Sequence, residues 1–187
     1  MTANQVLLVI DTQVAMVGTD PAPYNRDAFL EAVKHVLDRA RATKTPVLFI
    51  QHISADYEPM TPGHPGFETH PDIAPMPAEP ILHKRACDSF YQTDLEEELK
   101  KLGAEILVVT GMQTEQCIDT TCRSAMSHGY DVVLVSDGHT TWDSNGLSAA
   151  QIIAHANTTL PDLAHPDKNI VVAAAADIEF ESFATSR

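Results

Sequence analysis

A chain of 187 residues is long enough for one domain with a full core and short for two. Its 26 Asp and Glu against 12 Lys and Arg leave a formal charge of −14, a surface that repels phosphate backbones and argues against nucleic acid as a partner. No apolar run approaches the roughly 18 residues that span a bilayer, and three cysteines in a chain this size suit a reducing cytoplasm better than disulfide stapling.

The first apolar run, VLLVI (6–10), has no basic flank before it and runs straight into Asp11, so it reads as a strand and not as a leader. Phe29, Val33, Val36 and Leu37 then recur at helical spacing within 26–42. PVLFI (46–50) is a second strand. Residues 52–79 hold six of the 12 prolines and three of the nine histidines without a clear period. A connection that long inside a compact domain usually shapes a pocket or an interface. PILHK (80–84) is a short strand candidate, and LEEELKKLG (95–103) a helix stopped by Gly103. EILVVT (105–110) precedes a helix over 115–128, with Ile118, Cys122, Ala125 and Met126 on its apolar face. DVVLVS (131–136), a helix over about 147–160 and NIVVAA (169–174) complete the chain. Continuous apolarity marks strands covered on both faces. Strands alternating with helices predict one three-layer α/β/α domain over 1–187 with a mostly parallel sheet.

Ligands of such sheets bind beyond the carboxyl ends of the strands. Asp11 ends the first strand, Lys84 the short third one, and Cys117 lies just past the fourth, near the start of the following helix. A thiol with an ordinary pKa of about 8.5 is mostly protonated at neutral pH, and a helix N-terminus and a neighbouring cation both lower that value. Thr114 is a suitable N-cap that places Cys117 in the first helical turn. Lys84 supplies the cation, Asp11 can take the thiol proton and return it to a leaving amine, and backbone N–H groups at the helix start can hold an oxyanion. Each residue alone has a plainer reading: Cys117 as core filler, Asp11 as a turn residue, Lys84 as a solvated cation. Their convergence on one rim favours chemistry.

VLLVIDTQ, HKRACDSFYQTDLE and VVTGMQTEQCIDTTCRSAMSHGYDVVLVSDGHTT, in that order, resemble the isochorismatase-like cysteine hydrolases. Nicotinamidases and N-carbamoylsarcosine amidohydrolases belong to that superfamily. The resemblance runs from about residue 5 to 175, and Gly111, Thr114 and Cys117 carry its most specific motif. It implies a six-stranded sheet of order 3-2-1-4-5-6, an Asp–Lys–Cys triad at Asp11, Lys84 and Cys117, and a cis peptide between Met112 and Gln113. It further implies an oxyanion hole from the N–H groups of Gln113 and Cys117, and a homo-oligomer, dimer or tetramer.

The D-x-H metal signature of nicotinamidases is missing from FIQHISADYE. His52, His64 and His70 are expected to face solvent or cap turns, so neither metal nor cofactor is expected. Isochorismatases that cleave a vinyl ether resemble this fold but lack the cysteine, so Cys117 points to C–N hydrolysis of a small amide or carbamoyl compound through a thioester. The alternatives are vinyl-ether hydrolysis by Asp11 and Lys84 alone, and a binding protein that keeps the fold without the chemistry. Gln13, Met16, His52, Tyr91 and Trp142 are the candidate substrate contacts, with Tyr24, Phe90 and Gln116 weaker ones. On α-helical geometry Gln116 points away from the face of Cys117. Cys122 is expected in the core, Cys87 to be inert, and Asp119 with Arg123 to form a surface ion pair. Glu115 would oppose thiolate formation if it faced the pocket.

Overall fold

The computed structural model describes residues 4–180. Six strands, β1 (Gln5–Ile10), β2 (Val47–His52), β3 (Ile81–Lys84), β4 (Ile106–Met112), β5 (Asp131–Thr140) and β6 (Ile170–Ala173), form one sheet of order β3-β2-β1-β4-β5-β6. All five pairings are parallel. The order implied by the family resemblance is therefore the observed one.

The run VLLVI is continuous because its two faces serve two cores. Val6, Leu8 and Ile10 point into one cluster and Leu7 and Val9 into the other. Strand β4 divides likewise, with Leu107 and Val109 on the first side and Val108 and Met112 on the second. Against the first face pack α3 (Leu95–Lys101), α4 (Asp119–Ser127) and α5 (Ala149–Thr159), through Leu95, Leu99, Cys122, Ala125, Met126 and Ala156. Against the second lies α2 (Arg26–Thr43), through Phe29, Val33, Val36 and Leu37. Full burial of each such side chain is worth about 1.5–3 kcal/mol, which makes this pattern the main source of stability. A four-residue helix, α1 (Val14–Val17), follows β1.

Helix ends follow their local chemistry. Ser148 caps α5 in a reciprocal capping box with Gln151. Helix α3 stops at Lys101, and Gly103 turns the chain at φ +60°. Three features differ from the expectation. Strand β5 runs on to Thr140 through the polar residues DGHT, with a register irregularity between Val109 and Gly111 of β4. Residues 114–127 split into a π turn (Thr114–Ile118) and α4. The 52–79 connection contains three short 3₁₀ turns at 58–60, 65–67 and 71–73. Among the described residues no helix is long and apolar enough to cross a membrane.

Candidate active site

Parallel pairing fixes which residues meet at the carboxyl edge. His52 of β2 stands opposite Lys84 of β3, and Ile10 of β1 stands opposite Ile50 and Gly111. Asp11, one residue beyond β1, keeps its N–H on the Ile50 carbonyl at 2.8 Å while its own backbone turns to φ +51°. Aspartate and asparagine tolerate this left-handed region better than most residues. The turn carries the carboxylate over the sheet edge, where Oδ2 meets Lys84 Nζ at 2.7 Å. Both side chains are buried. The Lys84 ammonium also donates to the carbonyl oxygens of Ala86 (3.1 Å) and Cys87 (3.4 Å). Burial opposes the charged amine, yet Asp11 and Cys117 together outweigh it and hold the Lys84 pKa above the ordinary lysine value. Oδ1 of Asp11 is buried without a hydrogen-bond partner.

Cys117 reaches the same place from the π turn, and its Sγ lies within 4.8 Å of a carboxylate oxygen of Asp11 and of a ring nitrogen of His52. Burial, together with the Asp11 charge, raises the thiol pKa well above its ordinary value, while Lys84 pulls the other way. The lowering expected from the neighbouring cation is thus opposed by burial and by the Asp11 charge. The Lys84 charge is already paired with Asp11, which weakens its pull on the thiol.

These residues open on a cavity of about 240 Å³. Asp11, Gln113 and Cys117 line it with Met16 and His52, and Ser54, Met60, Cys87 and Gln116 complete the wall. Of the five expected substrate contacts, Met16 and His52 are at the cavity and three are not among its lining residues. Gln13 is buried with its amide consumed by a two-way clamp on the His52 backbone, Nε2 to the carbonyl (3.1 Å) and Oε1 to the N–H (2.8 Å). Tyr91 projects to the surface, 57% exposed. Trp142 donates its indole N–H to the Pro21 carbonyl at 3.1 Å and packs, partly buried, against the second core cluster. Tyr24, Phe90 and Glu115 also stand outside the lining. Gln116 does line it, against expectation, because a π turn advances each residue by a smaller angle than an α-helix and so swings Gln116 round beside Cys117. Its Oε1 accepts the Cys87 thiol at 3.6 Å.

The peptide between Met112 and Gln113 is cis. Gln113, not Thr114, takes the cap position of the π turn, and its carbonyl accepts the N–H groups of Gln116 and Ile118 at 3.1 Å each. The Thr114 hydroxyl is instead 2.9 Å from Nδ1 of buried His139, whose Nε2 is 2.9 Å from Oδ1 of Asn157. Asn157 Nδ2 in turn donates to the Ser136 carbonyl (3.1 Å). With Asn157 accepting, Nε2 carries the proton and Nδ1 accepts from Thr114. The chain of bonds ties the turn bearing Cys117 to β5 and α5. Thr114→Val leaves Nδ1 buried and unpaired, an expected loss of about 1–3 kcal/mol in chemical denaturation. Burial pushes the His139 pKa below its ordinary value. The unfolded chain therefore takes up a proton below about pH 6.5 that the folded chain refuses, and stability should fall as pH drops from there. Denaturation midpoints that stay level between pH 7.5 and 5 would contradict this.

The loop after β3 is fastened to α4: the Ser89 N–H and hydroxyl meet Thr121 Oγ1 at 3.2 and 2.9 Å, and Ser124 donates to Asp88 at 2.9 Å. Asp119 and Arg123 form the expected exposed pair, at 2.7 Å. His64 and His70 each accept a backbone N–H two residues on, from Gly66 (2.9 Å) and Asp72 (3.4 Å), and so cap their own turns. Among the described residues the ligand-type side chains close enough to hold a metal ion together are Asp11, His52 and Cys117. The Lys84 ammonium on the same carboxylate opposes a second cation there. A larger cleft of about 370 Å³ opens at the amino end of β2, lined in part by Arg41, Pro46 and Glu79. Arg41 and Glu79 bind each other there at 2.8 Å, and no cysteine is among its lining residues.

The Isochorismatase domain model matches residues 5–160. The chain belongs to the isochorismatase family. Among its relatives is a streptothricin hydrolase of Streptomyces noursei, 35% identical over 139 residues, 74% of this chain and 55% of that protein. The chain thus spans about half the length of the streptothricin hydrolases it matches. An isochorismatase structure from Pseudomonas putida KT2440 superposes with a TM-score of 0.83 at 26% identity, covering 94% of this chain and 90% of that one. N-carbamoylsarcosine amidase from Thermoplasma acidophilum shares the fold, with a TM-score of 0.78 at 19% identity over 95% and 99% of the two chains. For this member of the isochorismatase family, Ser54 and Met60 are the cavity residues with no signal in the sequence, since both lie in the aperiodic 52–79 connection.

Proposed function

We propose that the chain is a cysteine hydrolase that cleaves a C–N bond of a small amide or carbamoyl compound through a thioester on Cys117. The observation that carries the reading is the buried Asp11–Lys84 pair, 2.7 Å apart, whose Asp11 lines one small cavity together with Cys117. Sγ attacks the carbonyl carbon as its proton passes to the Asp11 carboxylate, and the Lys84 ammonium holds the charged site together. The N–H groups of Gln113 and Cys117 receive the oxyanion. Asp11 then gives its proton to the departing nitrogen, and water hydrolyses the thioester to release the acid. With an Asp11 carboxylate oxygen within 4.8 Å of Sγ, the proton can leave as the substrate arrives and no standing thiolate is required. The relative named streptothricin hydrolase and the shared fold of an N-carbamoylsarcosine amidase agree with hydrolysis at a C–N bond. A homo-oligomer in the cytoplasm remains the setting in which we place this chemistry.

Ammonia release from small primary amides and carbamoyl compounds tests the proposal, with EDTA present throughout. The wild type should release ammonia, and Cys117→Ala should lose at least about a hundredfold in kcat/KM while keeping its denaturation midpoint. A variant that retains more than a hundredth of the activity would sink the thioester route, and unchanged turnover of a vinyl ether by that variant would replace it.

A further inference from the structure

The wall of the cavity beside Cys117 is negative where it is charged, and apolar at Met16 and Met60. Its charged group is the Asp11 carboxylate, and no lysine or arginine is among the described residues that line it. The Lys84 ammonium stands off that wall, fully buried, and gives its donors to Asp11 and to the Ala86 and Cys87 carbonyls. Arg85, the next residue, is exposed and does not line the cavity either. Burial lowers the His52 pKa, so the ring adds no positive charge at neutral pH. Glu115, in the same turn as Cys117, keeps a buried carboxyl oxygen without a hydrogen-bond partner. Ser54, Gln113 and Gln116 are neutral. Met16 and Met60 offer thioether chains, which are soft and fit apolar groups of varied shape.

Resting on the cysteine-hydrolase reading, we infer that the site takes amides with an uncharged, apolar body against Met16 and Met60, and rejects amides that carry a carboxylate close to the scissile carbon. A carboxylate entering here gives up water, meets the Asp11 charge and finds no cation in exchange. The N–H groups of Gln113 and Cys117 could hold an anion, but the proposed reaction commits them to the oxyanion. The space is about 240 Å³, below the roughly 300–1,000 Å³ of ordinary ligand sites, so a carboxylate within a few bonds of the scissile carbon stays inside it. The formal charge of −14 further thins anions around the molecule. An apolar body meets none of these costs and gains by leaving water. N-carbamoyl amino acids and half-amides of dicarboxylic acids are therefore poor substrates, and their uncharged counterparts better ones.

Two pairs of probes, matched in size and differing in charge, test this at about 0.15 M salt, where surface charges are screened beyond about 8 Å. The first pair is iodoacetamide and iodoacetate, with alkylation of Cys117 followed by peptide mass spectrometry and each rate divided by that of 2-mercaptoethanol. The second is glutaramide and glutaramate, followed by ammonia release. Iodoacetamide should lead iodoacetate at Cys117 by at least about tenfold, and glutaramide should lead glutaramate in kcat/KM by as much. Gln116 lines the wall from an exposed position, so Gln116→Lys adds a cation there without burying it. That variant should cut both ratios about threefold or more, the effect of a unit charge roughly 6 Å away in water. A ratio cancels any general change in thiol reactivity. An alkylation ratio near one, or glutaramate cleaved as well as glutaramide, overturns the inference and leaves the hydrolase reading standing. Ratios that do not move in Gln116→Lys also overturn it, because the selection is then made elsewhere. If neither glutaramide nor glutaramate is cleaved, the alkylation ratio alone decides. A Cys117 that reacts with neither reagent removes the cysteine-hydrolase reading itself, and the inference falls with it.

Discussion

Lys84→Met is expected to abolish amide turnover and to lower the unfolding free energy by about 3–5 kcal/mol, the usual result of leaving one member of a buried pair without its partner. The reason is local. Asp11 Oδ2 has its hydrogen bond with Lys84 at 2.7 Å, and Oδ1 has no partner at all. Without the ammonium, a carboxylate is left in the interior with little to hold its charge. Adding Asp11→Asn should restore at least half of the lost stability, because asparagine is neutral and accepts the φ +51° backbone. It should restore no activity. Chemical denaturation and ammonia release on the two variants separate these effects. A double variant as unstable as the single one would mean that the pair is not what the fold loses. The raised pKa of Lys84 gives the same pair a pH signature. Its contribution is fully present below the unfolded lysine value of about 10.5 and is lost only as pH climbs through the higher folded value.

Gly111→Ala should prevent folding, or cost more than about 4 kcal/mol, a size reserved for changes the structure cannot absorb. A Cβ at this position would lie 2.0 Å from the Ile10 carbonyl oxygen and 2.8 Å from the Ile10 carbonyl carbon and nitrogen. All three atoms belong to the backbone of the central strand, so no rotamer change relieves the overlap. The residue also sits at φ +127°, which L side chains rarely adopt. Gly129→Ala is the control: it has a comparable φ of +88° but open space around it, and it should cost only about 1 kcal/mol. Thermal melts of the two variants give the comparison. Similar midpoints for both would show that strand approach at Gly111 is not limiting.

Asp11, Lys84 and Cys117 were legible in the sequence because each follows a strand-like apolar run, and parallel sheets gather the residues at such ends. The two faces of VLLVI and EILVVT were legible for the same reason, since continuous apolarity has few other causes. Thr114 was misread as a cap because a hydroxyl before a helix is ordinarily one. Here His139, 25 residues further on, competes for that hydroxyl, and a local pattern holds no trace of a distant competitor. TEQCI has the composition of an α-helical start, so nothing in it announced the π turn, and the position of Gln116 was lost with it. The cis bond before Gln113 follows a methionine and precedes a glutamine, residue types with no bias toward that geometry, and only the family resemblance pointed to it. The tail of β5 was missed because DGHT is polar. It stays in the sheet through backbone pairing of His139 with Gly111 and of Thr140 with Met112.

Main-chain bonds fasten the 52–79 connection at three places. Val14 N–H donates to the Glu68 carbonyl, His70 N–H to Thr12 and Ser54 N–H to Met60, at 2.8, 2.8 and 3.1 Å. Bonds between peptide groups are indifferent to the side chains that hang from them. The Ser54 hydroxyl does accept the N–H groups of Asp56 (3.3 Å) and Tyr57 (3.1 Å), but Met60, which also faces the cavity, makes no such bond through its side chain and can be exchanged without breaking the bonds that fasten the segment or disturbing the strand ends that carry Asp11 and Lys84. Such a wall works like a replaceable faceplate on a fixed frame: new substrate preferences are open to it by a few side-chain changes, while the chemistry behind it stays where it is.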